Sequence, residues 1–202
     1  QVAEHDVILT TYGVLLRDRR YLGLVFIGAF GISSFFAYLA NSPFVLIDHY
    51  GLTPRQYGMA FAINAASFIG ASQFTATLAL RWGLVRVVKF AVSGYATVMV
   101  ALLLVYLLGV DRLDVLIVMM LLGFGFLGLV VPTTAVLALD PHGTIAGTAS
   151  ALMGTLQFVT GAVVMATIGL FVDTTALPMV TGIACCSLLT WILARATLGA
   201  SA

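Results

Sequence analysis

Three glycines, Gly123-x-Gly125-x-x-Gly128, carry the spacing of a dinucleotide-binding turn, in which backbone N–H groups at a helix start hold a pyrophosphate. That chemistry needs a strand before the glycines and an acidic residue about twenty positions on. Asp140 stands twelve positions past Gly128. His5, His49 and His142 could ligate a metal, but they are far apart in tails or loops, and a metal site needs three or four convergent ligands. Cys185 and Cys186 are adjacent inside an apolar run. Neighbouring cysteines close a disulfide only with strained geometry, so both are expected to be buried free thiols. Serine and threonine are plentiful, yet no His or carboxylate lies within a long apolar run to activate them as nucleophiles. No catalytic residue, cofactor or metal is therefore expected, and the chain does not read as an enzyme.

The elements that would position such groups are set by the solvent. Of the 202 residues, 61% are hydrophobic and 8% charged, and the mean hydropathy is +1.12. A soluble domain carries roughly 25% charged residues, because its surface must face water. This chain must face lipid instead. Its net charge of +1 comes without the basic clusters of a nucleic-acid-binding module. The chain opens on Gln, which predicts a piece cut from a longer polypeptide, and its first twenty residues are too charged for a signal peptide.

A membrane-crossing helix needs about 20 mostly apolar residues. Six stretches qualify, at 21–47, 57–80, 87–108, 115–137, 145–172 and 177–193. Between them lie short breaks rich in Gly, Pro, Asp and Arg, as hairpins between neighbouring helices require. The expectation is an all-α integral membrane protein, with a six-helix bundle over 21–202. Residues 1–20 form a linker, whose "VILTTYGVLL" predicts a short helix at the membrane surface. The three glycines then fall in the middle of the fourth span. A strand and turn at that depth would strand backbone polar groups in lipid, so these glycines are expected to let a neighbouring helix approach. Gly147, Ala151 and Gly154 predict the same for the fifth span.

Six crossings put both termini on one side, with Arg17, Arg19, Arg20, Arg81, Arg86, Lys89 and Arg195. The other side holds Arg55 and Arg112, with Asp48, Asp111, Asp114 and Asp173. Basic residues favour the inside, so both termini are expected to be cytoplasmic. Pro43 and Gly58 recur as Pro132 and Gly147, 89 positions on, and Ala60 and Ala62 as Ala149 and Ala151. An offset of three helices reverses the crossing direction, as in the inverted 3+3 repeats of many transporters.

No Asp, Glu, Lys, Arg or His lies deep in a span, so no proton relay of side chains is expected here. The polar groups inside are uncharged. Phe30, Ser34, Tyr38 and Asn41 share a helical face in the first span, and Phe61, Asn64 and Phe68 share one in the second. In the fifth, Ser150, Met153, Gln157 and Thr160 form another stripe. Helix-to-helix contacts account for such residues as well as a cavity does. Amides beside aromatics favour the cavity, and Ser34, Tyr38, Asn41, Phe61, Asn64, Phe68, Met153 and Gln157 are its candidate lining.

At residues 41–73, "NSPFVLIDHYGLTPRQYGMAFAINAASFIGASQ", the chain resembles the second half of a major facilitator superfamily transporter of the Bcr/CflA type. These are bicyclomycin-resistance-like multidrug exporters. Ser42, Pro43, Phe44, Val45, Leu46, Tyr50, Gly51, Pro54, Tyr57, Gly58, Asn64, Ala65, Ser72 and Gln73 carry the likeness. "AGTASALMGTLQFVTGA", residues 146–162, is similar to the eleventh helix of that family, and "RWGLVRVVK" to a basic loop motif without its acidic residue. The resemblance implies a twelve-helix fold whose first six helices, with the proton-coupling acid, belong to a missing N-terminal half. It implies that spans one, two, four and five line a central cavity, and that residues 1–20 end the linker between halves. The function it implies is proton-coupled efflux of lipophilic drugs or toxic compounds across a bacterial inner membrane. The implied partners are a small-molecule substrate, membrane lipid and the missing half, with no nucleic acid. A metabolite exporter of the same fold, for a sugar or an amino acid, stays open. So does a non-transporting membrane receptor or assembly subunit.

Overall fold

A computed structural model describes residues 11–171 and 175–199 of this chain. His5, the start of the apolar stretch at Val7 and Asp173 lie outside those residues. Residues 11–17 are helical. Helix α1, Arg19–Pro43, begins at Asp18, whose Oδ1 accepts the N–H of Arg20 at 2.9 Å and of Tyr21 at 3.1 Å. Such a cap satisfies donors that have no partner in the first turn. Pro43 offers no N–H, and beyond it the helix continues as a π-helix, Phe44–His49.

Helix α2, Pro54–Gln73, starts on a capping box: Gln56 N–H donates to Thr53 Oγ1, and Thr53 N–H to Gln56 Oε1. It breaks at Phe74, and α3, Thr75–Trp82, follows. Gly83, at φ 81°, makes the turn into α4, Leu84–Leu107. A side chain there would be strained, which leaves the position to glycine. Helix α5, Leu113–Leu139, runs through Gly123, Gly125 and Gly128 without a break. The dinucleotide fingerprint therefore lies inside a helix, and has no turn in which to hold a pyrophosphate. A 3₁₀ turn, Asp140–Ile145, leads to α6, Ala146–Gly169, and α7 is Leu177–Leu198.

Among the described residues, four helical stretches are long and apolar enough to cross a bilayer: Arg19–His49, Leu84–Leu107, Leu113–Gly169 and Leu177–Leu198. The third is α5 and α6 joined through the 3₁₀ turn. Helix α2 is not among them. Arg55, Gln56, Asn64, Ser67, Ser72 and Gln73 dilute its apolar character, so the second of the six expected crossings is a polar, broken helix.

Helices α1 and α5 lie side by side at the centre. Helix α1 also packs on α6 and α7, α5 on α2 and α4, and α4 on α7. Exchanging α1, α2 and α4 for α5, α6 and α7, respectively, leaves these principal contacts unchanged. Burial follows the pattern: α1 and α5 bury Tyr21, Tyr38, Met120 and Phe124, whereas α2 buries only Ala60 and Asn64, and α6 only Ala149, Gly161 and Ile168. On α7, Cys186 is buried but Cys185 is exposed, which corrects the expectation of two buried thiols. Successive helical residues point about 100° apart, so one core-facing stripe rarely takes both.

Candidate functional site

Four of the eight candidate residues meet where α1, α2 and α5 converge. Tyr38 stacks on Phe61, with ring centroids 5.9 Å apart and planes 13° from parallel. It meets Phe124 of α5 edge-on at 5.2 Å. Phe35 joins the same nest, 6.4 Å from Phe61, 6.3 Å from Phe68 and 6.1 Å from Phe124. At its centre Asn64 Nδ2 donates to Tyr38 Oη at 2.9 Å. Asn64 Oδ1 is buried and has no protein partner. Whichever way the amide is turned, one of its ends lacks a bond. Tyr57, 6.2 Å from Phe61, closes the nest through a 3.2 Å hydroxyl contact with Ser42.

The other candidates lie elsewhere. Gln157, half-buried on α6, reaches across Gly28 of α1: a Cβ at Gly28 would sit 2.9 Å from Gln157 Nε2 and 3.2 Å from Thr134 Oγ1 of α5. Here glycine is what lets the amide lie between three helices. Met153, also half-buried on α6, packs against the apolar core. Ser34 lies beside Tyr95 of α4 and Cys186 of α7, and its hydroxyl donates to Phe30 O at 3.2 Å. Asn41 is bonded within its own helix, Nδ2 donating to Ala37 O at 2.8 Å. The candidates thus divide among separate interfaces rather than lining one opening. Open grooves occur elsewhere, including one of about 450 Å³ between α6 and α7, lined by Val163, Ile168, Leu177 and Cys185.

Sequence spacing missed Phe35, Phe124 and Tyr57. The contacts to α2 and α5 are carried by Phe35, Tyr38 and Ser42, at spacings of three and four, a face one residue round from Ser34 and Asn41. Phe124 lies between two glycines of the fingerprint, where no polar stripe marks it.

Spacing also could not show that two histidines have acidic partners. His49 Nε2 lies 2.7 Å from Asp111 Oδ2. Tyr50 donates to the other oxygen of Asp111 and also meets the Tyr106 hydroxyl. Burial, with those bonds to Asp111 and Tyr106, pushes the Tyr50 phenol well above its ordinary value, so it stays neutral. At the opposite end of α1, His142 Nε2 lies 3.3 Å from Asp18 Oδ2. Among the described residues no three metal-binding side chains converge.

An all-helical bundle with an apolar surface and polar groups gathered at helix crossings defines an integral membrane protein, and comparison with known proteins gives its class. The family profile of the Major Facilitator Superfamily matches residues 2–166. The chain is 31% identical over 171 residues to an uncharacterized MFS-type transporter, YdgK, of Bacillus subtilis, covering 84% of this chain and 42% of that protein. It is 25% identical over 190 residues to a bicyclomycin resistance protein homolog of Haemophilus influenzae, covering 90% of this chain and 45% of that one. The chain belongs to the major facilitator superfamily, a family of membrane transporters and not of enzymes. It spans less than half the length of these relatives.

Proposed function

We propose that this chain is the C-terminal half of a proton-coupled exporter of lipophilic compounds, of the Bcr/CflA type, in a bacterial inner membrane with both termini cytoplasmic. The observation that carries this reading is the nest around Asn64: a buried amide with one unpartnered end, walled by Phe35, Tyr38, Phe61, Phe68 and Phe124. An unpaired buried polar group costs about 1–3 kcal/mol. Keeping one at a crossing of three helices fits a group held for a ligand, and aromatic walls with one placed polar group suit flat, weakly polar molecules. The likeness to a bicyclomycin resistance protein homolog supports the same class. The faces of α2 and α6 turned away from the core, with Met59, Ile63, Ile69, Phe158 and Val159 exposed, are those left for lipid and for the preceding half.

In this reading Asn41, Asn64 and Gln157 shape substrate choice and do not carry the proton, because amides do not titrate in any accessible range. Asn64→Ala in the full-length protein should change which lipophilic compounds cells resist, by about tenfold for compounds that bond the amide. Substrate-induced proton movement in vesicles should persist for the others. Equal loss of resistance to every compound, with binding intact, would refute the division.

A further inference from the structure

The two His–Asp pairs recur at an offset four residues longer than that of the Pro43–Pro132 repeat. Asp111 follows Asp18 by 93 positions, and His142 follows His49 by the same 93. Asp18 and Asp111 stand just before the central helices α1 and α5; His49 ends the π-helix that continues α1, and His142 lies in the 3₁₀ turn that follows α5. At one end of the bundle a histidine of the π-helix after α1 meets the aspartate before α5; at the other, a histidine after α5 meets the aspartate before α1.

Their hydrogen-bond logic differs. His49 makes its contact through Nε2, which a neutral imidazole with its hydrogen on that nitrogen satisfies. His142 is engaged on both sides. Its Nδ1 lies 3.1 Å from Ala138 O, and its Nε2 lies 3.3 Å from Asp18 Oδ2. The Ala138 carbonyl lies within hydrogen-bond reach and the Asp18 carboxylate at ion-pair distance; both only accept, so the imidazolium is the form that suits both neighbours. A neutral ring would turn a lone pair towards one of them.

We propose that Asp18–His142 is a proton-binding clasp. One proton from solvent, taken up at the imidazole, closes it and holds the 3₁₀ turn Asp140–Ile145 to the start of α1; loss of that proton opens it. His49–Asp111 is its pseudo-symmetric counterpart and holds in either protonation state. The clasp matters because α6, which follows the turn, packs chiefly on α1. Its first turns are anchored there by Tyr21, whose hydroxyl donates to Ala149 O at 2.6 Å and whose ring meets His142 edge-on at 5.3 Å. The titratable groups around the imidazole are Asp18 and Tyr21, with Tyr12 near Tyr21. Arg17, Arg19 and Arg20 adjoin Asp18 in sequence, and Asp140 precedes His142 in the same turn. Helix α6 carries no charged side chain.

The test uses the full-length protein with Cys185 and Cys186 replaced by serine and spin labels at Leu16→Cys and Gly143→Cys, both exposed positions. Distances between the labels are measured at about pH 5.5 and about pH 8.5. The long-distance population should rise on the order of tenfold at the higher pH. His142→Arg, permanently charged, should stay closed at both. Asp18→Asn keeps an oxygen to cap α1 but presents N–H to the ring. It should reverse the dependence, closing on the neutral imidazole and opening on the imidazolium. Unchanged distances in the otherwise native chain overturn the proposal, and that arm needs no change at either clasp residue. An Asp18→Asn response of native sign overturns it too.

Discussion

Helices α5 and α6 both carry glycines through an apolar run, and the structure uses them in opposite ways. On α5 each is filled by a neighbour. A Cβ at Gly123 would sit 2.1 Å from Met99 Cε, one at Gly125 3.0 Å from Ser67 Oγ, and one at Gly128 2.2 Å from Phe68 O. On α6, Gly147, Gly154 and Gly169 would meet nothing within 4 Å, and only Gly161 is met, by the Phe36 ring at 2.5 Å. Glycine spacing alone is the same kind of signal in both. What differs is whether a helix lies opposite: α5 is flanked by α1, α2 and α4, while α6 leans chiefly on α1. A stripe of small residues is permission for close approach, and a contact exists only where a partner takes it. The expectation that Gly147 and Gly154 press on a neighbour within this bundle is corrected on that ground.

Substitutions can break this contrast. Gly128→Ala should do most harm, because the obstacle is the backbone carbonyl of Phe68 and two helices must part to admit a methyl group. A loss of about 3 kcal/mol is expected, seen as a collapse of folded yield and melting temperature in detergent; a normal melt would mean that α2 does not approach here. Gly123→Ala should cost less, about 1 kcal/mol, because the Met99 thioether end can swing aside. If the two variants melt alike, the distinction between backbone and side-chain obstacles fails. Tyr21→Phe, which removes the bond to Ala149 O at the start of α6, should cost about 0.6 kcal/mol. Its mark should be faster amide exchange at the start of α6 than in α5. Gly154→Ala should carry no cost to folding, and helix propensity gives a gain of up to about 1 kcal/mol. A loss on the scale of Gly128→Ala would show that this face is covered in the full-length protein.

Phe61, Asn64 and Phe68 were readable as one face of a helix because they recur at three and four residues. Tyr38 was found on a stripe whose other members, Ser34 and Asn41, turn to other partners. Period constrains which residues share a face to within about a residue of rotation, and one residue is about 100°. Phe35 was lost in that margin.

By itself, the sequence determined the solvent and the element type. With 8% charged residues the chain has to lie in lipid, and in lipid the backbone must bond to itself, so helices follow. It also set the caps at Asp18 and Thr53, which bond to groups two or three residues away. Only the tertiary structure decided which glycines are filled, which side of α1 faces Phe124, and that Asp18 finds His142 while Asp111 finds His49. Those pairings join residues 62 or more positions apart. Local periodicity carries no information about what stands opposite a face, because that depends on how whole helices cross.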